Sequence, residues 1–233
     1  MEVQKGLSML GALIAKLERN HRTLKSHPTI DKIERGELSR EELRHWATQL
    51  YIGNKGHNAN ILGLIYAKCD DFNARRAIVE NLLEEELGRQ SGVGLSHMEL
   101  YLEFGEALGI PRERLLHAQM SPDATAMVHW MYWLAASKPW YVTLAGISLG
   151  SELFNPDAYV RVVHGLREHY GLDDAGVRFF TVHIEVDKDH GDSSAGSIFR
   201  AIPDSAAAET LWAVEMHIEF MRRLWADITP PVA

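Results

Sequence analysis

Twice in this chain a serine stands three residues ahead of a glutamate at the head of a helix-periodic run: Ser39 with Glu42, and Ser96 with Glu99. In such a capping box each side chain satisfies a backbone N–H that the other residue leaves free, so the pair starts a helix. The first box predicts one long helix running toward Cys69, the second a helix reaching Gly109. Leu7 to Arg22 carries apolar residues at helical spacing, and Asp71 to Leu87 reads as a helix that Gly88 stops. Ser121-Pro122 opens another, with proline at the first helical position. Pro139 begins a segment ending near Phe154, and Asn155-Pro156 starts one that Gly171 closes. Asp173 or Asp174 leads into the next, and a last helix runs from about Asp204 to Asp227. No run alternates with the period of a strand, and there is no internal repeat or low-complexity linker. The expectation is an all-α chain, a single bundle of seven to eight helices over residues 1–233.

Composition narrows the partners. A net charge of −8 over 233 residues excludes nucleic acid and anionic membrane as main partners, because both need a basic surface. One cysteine, Cys69, excludes a disulfide framework and thiolate metal clusters. The apolar stretch near the N-terminus is soon broken by Lys16 and Glu18 and lacks a cleavage site, and no stretch reaches the ~20 apolar residues of a membrane span. A soluble cytoplasmic protein is expected. The segment GRQSGVGL, residues 88–95, carries three glycines in eight positions and reads as a loop, either a plain connection or a lid.

The chemistry concentrates near the C-terminus, in His183, Asp187 and His190. At about 100° per residue, steps of four and seven return all three side chains to one helix face. Phe180 and Val186 lie within about 60° of His183, so the stripe follows an apolar edge. Three polar groups buried there without partners would cost several kcal/mol, and a cation that collects their lone pairs removes that cost. Imidazole and carboxylate suit non-haem iron, manganese or zinc.

Further ligands are expected on the apolar faces of other helices. Glu152 continues the stripe Tyr141, Ala145, Ser148. In the run Glu84-Glu85-Glu86, Glu85 shares a line with Ala74 and Ile78 and is taken as the inward member, with Glu86 as the fallback; His97 opens the helix that follows. Three carboxylates and three imidazoles suit two metals better than one, since two ferrous ions and three carboxylates leave a nearly neutral cluster. Helical bundles hold di-iron sites in this way for oxygen chemistry.

The segments NARRAIVENLLEEELG, SHMELYLEFGEALG, GSELFNP and TVHIEVDKDHGD resemble the ligand segments of the haem-oxygenase-like di-iron oxidases, in the same order from about Gly36 to Asp192. The nearest branch is the one containing the chlamydial protein associating with death domains. Pyrroloquinoline-quinone synthase and thiaminase-type proteins are similar in fold but lack this ligand set. The resemblance implies metal ligands at Glu85, His97, Glu152, His183, Asp187 and His190, with Glu85, Glu152 and Asp187 as the catalytic carboxylates. It implies two irons, with manganese in one position as the alternative, O2 as co-substrate, and a homodimer. The stretch between Glu85 and His97 is longer than the family pattern.

The branch that makes p-aminobenzoate from its own tyrosine is expected to carry that tyrosine just before the Gly-Glu-Leu segment. HPTIDKIERG contains none, and the first tyrosine is Tyr51. The expected substrate is therefore an external small molecule: an amine, amino acid or carboxylic acid undergoing N-oxygenation, C–C cleavage or desaturation. Electrons would come from an external donor or from the substrate. Trp130, Trp133, Trp140 and Tyr141 are candidates to line its pocket, and Lys55 and Lys138 to anchor a carboxylate. The alternatives are a cofactorless oxidase or thiaminase-like hydrolase, for which Cys69 is the sole thiol nucleophile, and a helical interaction module without catalysis.

Overall fold

The computed structural model describes residues 3–152, 155–185, 198 and 200–230, the side chains of Val3 and Glu152 excepted. Its helices are α1 (Val3–Arg19), α2 (Pro28–Glu34), α3 (Arg40–Gly53), α4 (Asn58–Lys68), α5 (Phe72–Leu87) and α6 (His97–Ala107), then α7 (Arg112–Leu116), α8 (Pro122–Ser137), α9 (Trp140–Glu152), α10 (Asn155–Tyr170), α11 (described over 178–185) and α12 (Ala207–Ala226). No strand occurs among the described residues.

Both capping boxes form. Ser39 N–H donates to Glu42 Oε2 at 2.8 Å while Glu42 N–H donates to Ser39 Oγ at 3.2 Å. Ser96 and Glu99 exchange the same bonds at 2.9 and 3.1 Å. Asp71 caps α5 through Ala74 N–H, and Gly88 ends it at φ +55°, a left-handed conformation that glycine adopts without penalty.

The long helix predicted from Ser39 toward Cys69 is instead two. α3 stops at Gly53, Asn54 leaves helical geometry at φ −146°, and residues 55–57 make a single 3₁₀ turn before α4. Gly53 packs so tightly that a Cβ there would lie 2.9 Å from Ala124 Cβ and 3.0 Å from Leu224 Cδ1. The carbonyl of Ile52 at the break accepts a bond from His57 Nε2 at 2.9 Å. Two short helices, α2 and α7, were also not foreseen; α2 is started by His27, whose Nδ1 accepts from Thr29 N–H.

The largest fully buried side chains of the core are aromatic. Trp46, Trp225, Tyr101, Tyr159, Phe104, Phe179 and Phe180 are fully buried and meet largely edge to face, as at Trp46–Phe104 and Phe104–Phe180. Burying one such ring contributes on the order of 2–3 kcal/mol. α12 runs along α9, and glycines permit the approach: a Cβ on Gly146 would meet Ala213 Cβ at 3.0 Å, and one on Gly150 the His217 ring at 2.9 Å. No helix among the described residues is long and apolar enough to cross a membrane.

Candidate metal centre

α4, α5, α6, α9 and α11 surround a cavity of about 80 Å³. Ile61, Leu62, Ile65 and Ile147 make its apolar wall; Glu84, Glu85, His97, His183, Lys55 and Ser151 are its chemically active members.

Glu84 is only 2 % exposed. Its Oε2 accepts from the backbone N–H of Gln90, at 2.5 Å, and of Ser91, at 3.1 Å, so the carboxylate ties down the 88–95 loop. Its Oε1 lies 3.1 Å from His97 Nε2. Burial alone would raise the Glu84 pKa. The bonds from Ser91, Gln90 and His97 outweigh burial and hold the carboxyl below the usual range.

His97 opens α6 between two carboxylates. Beyond Glu84, its Nδ1 lies 3.3 Å from Glu85 Oε2, within ion-pair distance but off the line of a hydrogen bond. Burial opposes a charged ring, yet Glu85 and Glu84 together raise the His97 pKa. Glu85 Oε1 also accepts from Asn58 Nδ2 at 3.4 Å.

His183 lies across from His97, the ring centroids 4.4 Å apart. Its Nδ1 stands 2.7 Å from the carbonyl of Phe179. A carbonyl only accepts, so Nδ1 carries the proton and the lone pair is on Nε2. Burial first, then the charges of His97 and Lys55, push the His183 pKa well below the ordinary value, so the ring is neutral. His217 of α12 reaches Ser151 Oγ with Nε2 at 2.9 Å; it is fully buried and its pKa falls to about 3, from burial and the Lys55 charge.

The structure thus brings together Glu85, His97 and His183 of the predicted ligands. Glu86, the fallback, is exposed. Glu152 ends α9 next to Ser151, but its side chain lies outside the described residues, as do Asp187 and His190 entirely. Sequence reasoning missed Glu84, which lines the cavity together with Asn81 three residues earlier. Trp130, Trp133, Trp140 and Tyr141 do not line this cavity; Trp130 stacks with Trp133 and Phe220 elsewhere, and Trp140 bonds Asp70. Lys138 pairs with Glu209, while Lys55 is buried in the cavity wall. Cys69 caps α4 away from the cavity, buried, with its thiol pKa raised by that burial.

Residues 44–222 match the family described as iron-containing redox enzyme. The chain belongs to that family. It is thereby an oxidoreductase, which sets aside the reading as a non-catalytic interaction module. Among curated relatives, a protein described as 4-aminobenzoate synthase from Chlamydia pneumoniae is 30% identical over 183 residues, covering 78% of each chain. One of the same description from Nitrosomonas europaea is 28% identical, covering 72% of this chain and 70% of its own. Among solved structures, a CADD-like protein of unknown function from Nostoc punctiforme superposes with a TM-score of 0.75 at 17% identity, covering 97% of both chains. A protein with a heme oxygenase-like fold from Shewanella denitrificans gives 0.77 at 17%, covering 95% and 91%. A TenA homolog from Pseudomonas syringae gives 0.76 at 16%, covering 94% and 91%. The iron-containing redox enzymes and this all-α, haem-oxygenase-like fold are what the motif resemblance implied.

Do these residues fit iron? Among the described residues no three His, Cys, Asp or Glu side chains converge in ligating geometry. Among them, His97 is turned to the carboxylates of Glu84 and Glu85, whose charges favour its protonated form. The donor types nevertheless fit, since imidazole nitrogen and carboxylate oxygen both bind iron. His183 is already in the tautomer of a ligand, with Nδ1 fixed by a carbonyl and Nε2 free.

Proposed function

We propose that the chain is a non-haem di-iron oxidase that uses O2 to oxidise an external small amine, amino acid or carboxylic acid. The observation carrying this reading is the buried facing pair His97–His183, with Glu84 and Glu85 on the same cavity wall. Glu85, His97 and His183, with Glu152, Asp187 and His190, would hold the metals, iron in both positions or manganese in one; Glu84 is the further carboxylate at hand. Iron held there would supply the redox chemistry for reducing O2, with its electrons restored by an external donor or by the substrate.

The chain's own residues prepare this step. To serve as a ligand His97 would have to be neutral, any proton on its ring passing to solvent, and Glu84 and Glu85 would then have oxygens to offer. His183 needs no such change. The isoleucine and leucine wall limits water around the oxidising centre, and Ser151, oriented by His217, offers one hydroxyl to a bound molecule.

An external substrate is favoured by the surroundings of Leu38. The hydroxyl found there belongs to Tyr170 of α10, and it accepts from Leu38 N–H at 3.1 Å and donates to Leu38 C=O at 3.0 Å. That phenol is committed to structure. A thiaminase-like hydrolysis through a thiol would need a cysteine at the cavity, and Cys69 is not there.

The test is anaerobic loading with ferrous iron, then stopped-flow mixing with O2 across a panel of amino acids, amines and fatty acids. About two irons per chain and a visible transient that depends on one compound are expected. Failure to take up iron would sink the proposal, as would undiminished turnover in His190→Ala.

A further inference from the structure

Lys55 is a cation placed where few proteins tolerate one. It is 8 % exposed, and it stands on the 3₁₀ turn that breaks α3 from α4, facing the same cavity as His183. Its ammonium lies 5.9 Å from the ring centres of both Tyr159 and Phe179. Neither a carboxylate nor a hydrogen-bond acceptor partners it among the described residues. The two described acids of the cavity wall are otherwise engaged: Glu84 holds the loop and His97, and Glu85 faces His97 and Asn58. It shares the cavity lining with His183 and Ser151, and its charge lowers the basicity of both His183 and His217.

Burying an ammonium without a counter-ion is costly, and lysines in such positions are normally paired. Two aromatic faces at 5.9 Å return only part of that cost. The cavity wall carries a second orphan, Asn155, which is 2 % exposed with Oδ1 lacking a partner among the described residues. An anion in the cavity would satisfy the lysine, and the apolar wall of Ile61, Leu62, Ile65 and Ile147 suits a hydrocarbon portion beside it.

We propose that Lys55 is the anchor for the carboxylate of an organic-acid substrate with an apolar body. This rests on the preceding reading only in taking the cavity as the place of oxidation, and it selects carboxylic and amino acids over simple amines. The Asn54 break is what gives the lysine this position, because a continuous helix would send residue 55 in another direction.

The probes are hexanoate and its neutral counterpart hexanamide, titrated calorimetrically into the full-length chain. One sample is used as purified, with its iron content measured, and one is stripped of metal so that no carboxylate can bind through iron. Hexanoate is expected to bind roughly tenfold or more tightly than hexanamide in both samples, as a charge-assisted hydrogen bond requires. Lys55→Met should abolish the preference while leaving hexanamide binding as it was, and Lys55→Arg should keep part of it. Equal affinities in the wild-type chain, or an undiminished preference in Lys55→Met, overturn the assignment. The wild-type comparison decides even if a variant does not fold. A chain that takes up no iron yet shows the Lys55-dependent preference would defeat the di-iron reading and leave this one standing.

Discussion

The imidazole ring centroids of His97 and His183 stand 4.4 Å apart at 52°, one ring with its basicity raised by two carboxylates and the other kept neutral by burial. A metal bound as proposed would replace that arrangement, taking one nitrogen from each ring. His183→Ala and His97→Ala are therefore each expected to weaken iron retention by about 100-fold, at the upper end of what ligand-shell changes cost. Metal analysis after dialysis checks this, and unchanged iron content in either variant would remove that ring from the site.

Glu84 joins the loop to the site. Glu84→Ala leaves the Gln90 and Ser91 N–H groups and the His97 ring without their acceptor, an expected loss of about 3 kcal/mol. Urea denaturation measures it. Amide exchange in residues 88–95 should rise at least tenfold, whereas Glu86→Ala, on an exposed position, should change neither.

What the sequence revealed follows a physical division. Capping at Ser39, Asp71, Ser96 and Ser121 is chemistry between residues three apart, so those helix starts could be read directly. The break at Gly53 could not, because its cause is close packing against Ala124 and Leu224, far along the chain. The same holds at the site. Helical phase pointed to Glu85, but the burial of Glu84 depends on a loop folding back to offer two N–H groups. His183 was found from its spacing to Asp187 and His190, a pattern confined to one helix.

His27 should make stability pH-dependent. Its pKa falls to about 4, through burial and the nearby Arg222 charge, against about 6.5 in the unfolded chain. The unfolded state thus binds more protons between these values, and stability is full above pH 6.5 and declines as pH falls toward 4. By pH 5 the contribution lost is about 2 kcal/mol. His27→Asn keeps a capping acceptor and removes the titration, so its stability relative to wild type should rise by that amount between pH 7 and 5.

Gly150→Ala would force a methyl against the His217 ring. Overpacking of this kind costs about 1–3 kcal/mol. A lowered Tm should accompany a disturbed Ser151–His217 contact. A Tm equal to wild type would mean that α9 and α12 are packed less closely than described.

Cys69→Ala tests the hydrolase alternative. The thiol is buried at the end of α4 and bonds weakly to the Asp71 carbonyl at 3.5 Å. Its removal is expected to cost about 1 kcal/mol in stability and to leave O2-dependent turnover unchanged. Loss of turnover in a folded Cys69→Ala chain would reopen thiol chemistry.

The division of the Glu84 carboxylate between the 88–95 backbone and His97 couples two events that look separate. Any species that draws His97 away alters the charge and the freedom of the oxygen left behind, and so alters its grip on Gln90 and Ser91. By linkage the relation runs both ways: order in the loop must change affinity at the histidines by the same factor. Filling the site and settling the loop are then one equilibrium with two readouts, and the amides of Gln90 and Ser91 report occupancy without any probe of the metal itself.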